Sequence, residues 1–314
     1  LTAPDSSTTL AAGSTPLAGA RRYDMLALDL DGTLLDPSGK VSPANVAAVK
    51  AARDAGMFVT VCTGRGPAEC AGHIAAISQE HPIVVAGGSI ISCPRTRRTL
   101  HRFSIDYRLV ARAVDRFLAL RCPALVLKDS VEAGYEYLVV IGKDRLPLDP
   151  VTRWWFEHMN VSVRYAETLA EDEHPEHTVR FGACGWSSRM AGLKRDLFDC
   201  FGDDAIVHHF PAVVSPLHEK HPDGDVMHVL EVFDKQATKW SAVRWLARER
   251  GIDPSRVAAI GDELNDVDII RSAGLGIAMG NAVPEVADVA RRRTRRNDED
   301  GVAYAIGKLL SGEW

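Results

Sequence analysis

The 314-residue chain is long enough for roughly one to three domains, and its 46% hydrophobic and 25% charged content is that of an ordinary globular protein. Its net charge of -5 is spread along the chain, which gives no case for nucleic acid or an anionic membrane as partner. No apolar run approaches the roughly 20 residues of a membrane span. Six cysteines without a Cys-x-x-Cys pair read as reduced core thiols of a cytoplasmic protein.

Residues 1–21 are rich in Ser, Thr, Ala, Gly and Pro and show no periodicity. The Arg21-Arg22 pair comes at the end of this stretch, whereas a signal peptide carries its positive charge first, so a disordered leader is expected. "MLALDL" then reads as a strand buried on both faces. "SPANVAAVKAARDAG" follows as a helix, with Ser42 as N-cap, Pro43 in its first position and Gly56 at its stop. "MFVTVC", "PAECAGHIAAI" and "PIVVAGG" repeat the strand–helix–strand grammar. It returns late in the chain with "ATKWSAVRWLARERG", "RVAAIGD", "DVDIIRSAG" and "LGIAMG", before the closing helix "DGVAYAIGKLL". The stretch between these blocks differs. "ALVLKD", "YEYLVVI" and "MHVLEVF" alternate like half-exposed antiparallel strands, with helices near 107–120 and 188–201. The pattern predicts an α/β fold: a doubly wound, Rossmann-like parallel sheet over 22–92 and 230–314, interrupted by an inserted α+β cap domain over 93–229.

In open α/β sheets, ligands gather beyond the carboxyl ends of the strands. The first strand ends in Asp29-Leu30-Asp31-Gly32-Thr33, and the second delivers Thr63, Gly64 and Arg65. "VAAI" ends in "GDELND", delivering Asp262, Asn265 and Asp266, and Lys239 opens the helix before it. Two buried carboxylates side by side are costly unless something positive holds them. Aspartates with an amide suit Mg²⁺, while a hydroxyl, a lysine and turn N–H groups suit phosphoryl oxygens. Carboxylates also serve as nucleophiles that form aspartyl-phosphates.

"DLDGTLLD", "VCTGR", "ATK" and "GDELND" resemble, in chain order, the four motifs of the haloacid dehalogenase superfamily of phosphohydrolases. The likeness is to its Cof-type subfamily, which carries a cap after the second motif. It covers residues 23–93 and 226–314, with the cap matched by position and length. The resemblance implies that Asp29 attacks phosphorus, and that Asp31 protonates the leaving oxygen and then activates water. Thr63 and Lys239 would bind the phosphoryl group, with Gly32, Gly64, Arg65 and Asn265 lining the phosphate site. Mg²⁺ would rest on Asp29, the Asp31 carbonyl and Asp262, supported by Asn265 and Asp266. Asp31, as acid then base, would need neighbouring carboxylates to bring its pKa toward neutrality. A small phosphorylated metabolite, such as a sugar phosphate, is the expected partner of a monomer or homodimer. Gly87-Gly88 stands where the family usually has Asn-Gly, and Trp240 where Gly follows the motif lysine.

A phosphomutase of the same superfamily would share these motifs. A catalytically idle binding module would lack one of Asp29, Asp31, Lys239 or Asp262, and all four are present. The histidines of "EDEHPEH" and "VHHFPAVVSPLHEKHPDGDVMH" lie in acidic, Pro-rich stretches and read as a solvated face and not as a zinc site. Trp154-Trp155 reads as cap core or as a contact between domains.

Overall fold

A computed structural model describes residues 22–159, 161–212 and 225–314. The expected leader, His218 and His221 lie outside these residues. The first block comprises β1 (Met25–Asp29), α1 (Pro43–Asp54), β2 (Phe58–Cys62), α2 (Pro67–Ala76), β3 (Ile83–Val85), β4 (Ile90–Ser92) and β5 (Thr99–Arg102). Next come α3 (Tyr107–Ala119), β6 (Ala124–Lys128), α4 (Ser130–Ala133), β7 (Tyr137–Val140), α5 (Pro150–His158) and β8 (Val163–Ala166). They are followed by β9 (Thr178–Trp186), α6 (Ser187–Phe201), β10 (Ala205–Pro211) and β11 (Met227–Asp234). The chain closes with α7 (Lys239–Glu249), β12 (Val257–Gly261), α8 (Val267–Ser272), β13 (Leu275–Ala278), α9 (Pro284–Val289), β14 (Arg292–Arg293) and α10 (Gly301–Leu310).

These strands form two sheets. The larger runs β14-β13-β12-β1-β2-β3-β4-β5, parallel except where β4 and β5 fold back antiparallel at one edge. Central β1 is buried throughout, as its unbroken apolar run requires. On one face, Met25 and Ala27 pack with Ala242, Val243, Leu246 and Ile269 of α7 and α8. On the other, Leu26 and Leu28 meet Val49 and Ala52 of α1 and Val302, Ala305 and Ile306 of α10. The Ser42 side chain caps α1 by accepting from the Asn45 N–H at 3.1 Å.

The second sheet runs β10-β11-β9-β6-β7-β8 and is antiparallel except for the β7–β8 pair. One face packs on α3 and α6 through Val110, Val114, Phe117, Phe181, Leu193 and Leu197. Leu127, Tyr137, Val139 and Val179 instead join the apolar cluster of the larger sheet, so the inserted unit rests directly on the core. The sheets place the crossings near Arg102 and Asp234, where the sequence reading put them at 92/93 and 229/230. The β4–β5 hairpin extends the larger sheet, and β11 keeps one register with β10 from His228 to Asp234. "VHHF", read above as part of a solvated face, lies in β10, where His209 Nε2 meets His228 Nδ1 of β11 at 2.8 Å.

Candidate active site

Register brings the motif residues together. Asp29 pairs with Cys62 across β1–β2, which sets it beside Thr63, and Leu28 pairs with Ile260, which sets Asp262 just beyond. Asp29, Asp262 and Asp266 are all buried and offer carboxylate oxygens within 4.8 Å of one another. The Lys239 ammonium enters this cluster from the start of α7. It donates to Asp29 Oδ1 at 2.6 Å, Asp266 Oδ1 at 2.7 Å and Asn265 Oδ1 at 3.2 Å.

Three buried carboxylates face one ammonium, and the electrostatics show the imbalance. Burial pushes the Asp29 carboxyl well above its ordinary value, and Asp266 and Asp262 add to this against the pull of Lys239. Asp262 is pushed up to about 6, again by burial first, with the Thr33 hydrogen bond opposing. Burial alone would depress the Lys239 ammonium, but Asp266 and Asp29 outweigh it and keep the group charged. Burial also raises the Cys62 thiol, so this neighbour of Asp29 stays protonated.

The remaining predicted residues divide. Thr63 is buried, and its Oγ1 accepts the Arg65 N–H at 3.1 Å. Asp31 lies outside the carboxylate cluster: its half-exposed side chain takes two hydrogen bonds from Arg65, at 2.6 and 2.9 Å. Asp266 spends both oxygens on protein donors, one on Lys239 and the other on the Asp262 and Glu263 N–H groups. Gly32 turns the chain with φ +72°, and a Cβ there would stand 2.1 Å from Asp262 Oδ2. At the opposite rim Gly88, φ +113°, lets the backbone of Thr238 approach where a Cβ would be 2.3 Å from its carbonyl carbon.

Several site residues escaped the sequence reading. Asn281 bridges the Gly32 carbonyl at 2.8 Å and Asp262 Oδ2 at 3.3 Å, and Thr33 donates to Asp262 Oδ1 at 2.7 Å. The inserted unit contributes Arg180, which donates to the Gly64 carbonyl at 3.3 Å and the Tyr137 hydroxyl at 2.8 Å, and pairs with Glu231 at 2.7 Å. His208 sits near enough to Lys239 and Arg180 that burial and these cations press it down to about 4, keeping it neutral. Trp155 is a contact between the two units: its Nε1 donates to Glu69 Oε1 at 2.9 Å. The available signal was charge inside apolar strands, Arg180 in "TVRFGAC" and Glu231 in "VLEVF".

The pattern of the haloacid dehalogenase-like hydrolases matches residues 26–306. The chain belongs to that family. Among its curated relatives are two from Bacillus subtilis (strain 168). The 5-amino-6-(5-phospho-D-ribitylamino)uracil phosphatase YwtE is 28% identical over 312 residues, covering 92% of this chain and 99% of the relative. Phosphatase YwpJ is 26% identical over 290 residues, covering 91% and 99%. A haloacid dehalogenase-like hydrolase from Bacteroides thetaiotaomicron shares the fold with a TM-score of 0.73 at 22% identity, covering 91% of this chain and 99% of that one. This haloacid dehalogenase-like chain, Cof-type in its relatives, is accordingly a phosphoric monoester hydrolase. No helix among the described residues is long and apolar enough to cross a membrane.

Proposed function

We propose that the chain is a Mg²⁺-dependent phosphatase that works through an aspartyl-phosphate on Asp29. Its substrate is read as a small phosphomonoester with a polyhydroxylated leaving group, released under a cap formed by 103–234. One observation carries this reading: among the described residues, three buried carboxylates at adjacent strand ends share one ammonium, too little positive charge to hold all three ionised. The donor set is all oxygen, which fits Mg²⁺ on Asp29, Asp262 and the Asp31 carbonyl. When bound, the cation neutralises the carboxylates and the phosphoryl charge. Asp266 is then a support that fixes Lys239 and the Asp262 turn.

The chain's own residues supply the rest. An Asp29 oxygen forms a bond to phosphorus as the ester oxygen leaves, and Asp31 gives that oxygen a proton. Asp31, then ionised, takes a proton from the water that attacks the aspartyl-phosphate and restores Asp29. Lys239 and Thr63 hold the equatorial oxygens through both steps. Arg65 pairs with the ionised form of Asp31, the form that takes the proton from water, and the proton-donating form acts released from this pair. Glu231, Arg180 and neutral His208 offer acceptors and donors above the crevice, the chemistry that hydroxyl groups require. The substrate for which YwtE is named carries a phosphoribityl chain of this type.

The experiment is phosphate release from a panel of sugar and polyol phosphates, with Mg²⁺ or with chelator. Activity should vanish in chelator and in Asp29→Asn, with the fold intact by circular dichroism. Substantial release by Asp29→Asn would remove the nucleophile assignment, and isomerised phosphate without release would make the chain a mutase.

A further inference from the structure

Outside the crevice, the sequence "EDEHPEH" folds into one tight turn, Pro175–His177, closed by the His177 N–H donating to the His174 carbonyl at 3.0 Å. In such a turn, side chains three residues apart eclipse. His174 and His177 therefore share a face, with ring centroids 5.8 Å apart. Glu176 reaches the same face: its Oε1 is 3.2 Å from His177 Nε2 and 3.9 Å from His174 Nδ1. All three residues offer ligand atoms within 4.8 Å of one another. Ligands at about 2.0–2.2 Å from a tetrahedral ion stand about 3.3–3.6 Å apart, within the range these separations span.

The turn is also held in place. Fully buried Lys128 donates to the His174 carbonyl at 3.1 Å, to Asp172 Oδ2 at 2.5 Å and to Thr178 Oγ1 at 2.7 Å. Ser104 Oγ donates to the Glu176 carbonyl at 3.0 Å and the Asp129 N–H to the His177 carbonyl at 2.8 Å. Every carbonyl of the three ligand candidates is thus anchored from another segment, so little ordering remains to be done on binding.

We propose that His174, Glu176 and His177 form a second metal site, in the inserted unit, for a borderline transition cation such as Zn²⁺ or Ni²⁺. Two imidazoles and one carboxylate select such ions and reject Mg²⁺, which requires oxygen. The two sites therefore sort cations by ligand chemistry: hard ions in the crevice and borderline ones on the turn. His177 also lies three residues before Arg180, so an ion here stiffens the start of the strand that reaches Gly64.

The test is calorimetric titration of the full chain with Ni²⁺ in saturating Mg²⁺, which occupies the carboxylate crevice. One Ni²⁺ should bind per chain. His174→Gln and His177→Gln should each weaken it about tenfold or more. Exposed Glu176→Gln, which touches no core, should weaken it without altering the melting temperature of the metal-free chain. Phosphate release in Mg²⁺ should be unchanged in all three. Undiminished Ni²⁺ affinity in the His174→Gln/His177→Gln double variant, or its loss in His209→Gln/His228→Gln, would overturn the assignment.

Discussion

Asp262→Asn turns the charge imbalance of the crevice into a measurable stability. The Asp262 carboxyl is raised from 3.8 to about 6. A difference of about two pH units disfavours its ionised form in the folded, metal-free chain by about 3 kcal/mol. The folded group holds its proton more tightly than the unfolded one. Stability is therefore greatest below about pH 4 and falls as pH rises through about 6. Asparagine cannot ionise and keeps an oxygen for Thr33, 2.7 Å away. Its amide would face Asn281 Nδ2, now 3.3 Å from Asp262 Oδ2, at a cost of about 1 kcal/mol. In chelator near pH 7.5, urea unfolding should find Asp262→Asn more stable by about 2 kcal/mol, with unchanged m. The advantage should disappear by about pH 4. Adding Mg²⁺ should stabilise the natural chain and leave the variant where it was, because only one of them keeps the ligand. A variant less stable in chelator, or one equally stabilised by Mg²⁺, would refute the reading of Asp262 as a carboxylate kept for a cation.

Gly32→Ala should cost about 1–2 kcal/mol of backbone strain and, by displacing Asp262, most of kcat; a functional enzyme with unchanged Mg²⁺ response would count against the crowding described here. Lys239→Met removes the one ammonium that the described residues place in the carboxylate cluster. It should lower stability by about 3–5 kcal/mol at neutral pH, much less at pH 4, in chemical denaturation. Glu231→Gln should lower kcat/KM for the best polyol phosphate about ten- to a hundredfold while sparing an aryl phosphate, and an equal loss on both would move specificity out of the cap.

The core of this site was legible because its chemistry is local in sequence. Each strand end carries its own short cluster, "DLDGT", "CTGR" or "GDELND", and the sheet rule brings these ends together without knowledge of side-chain packing. Ser42 and Pro43 likewise marked the start of α1 by a mechanism that acts within four residues. What stayed hidden depends on distant partners. Asn281 is 249 residues from the Gly32 carbonyl it binds, and Arg180 is 116 from that of Gly64. The histidines misled because composition alone says loop, while strand pairing placed His208 and His209 in β10 and a buried lysine fixed His174 and His177. Asp31 was expected among the carboxylates. The arginine at the next strand end draws it to the rim, an exchange that spacing along the chain does not encode.

The attachment of α7 has a mechanical consequence. β11, which bears Glu231 and Phe233, ends at Asp234, and the Asp234 carbonyl accepts the Ala237 N–H only two residues before Lys239. The ammonium on Asp29 is therefore tethered by a short, hydrogen-bonded link to the strand that carries Glu231. Thr238 is wedged against Gly88 with no room for even a methyl group, which ties this link to the larger sheet as well. Displacement of the second sheet and loss of charge balance at Asp29 thus share one joint. A crevice opened by moving the second sheet is, by the same movement, one in which Asp29 loses its ammonium.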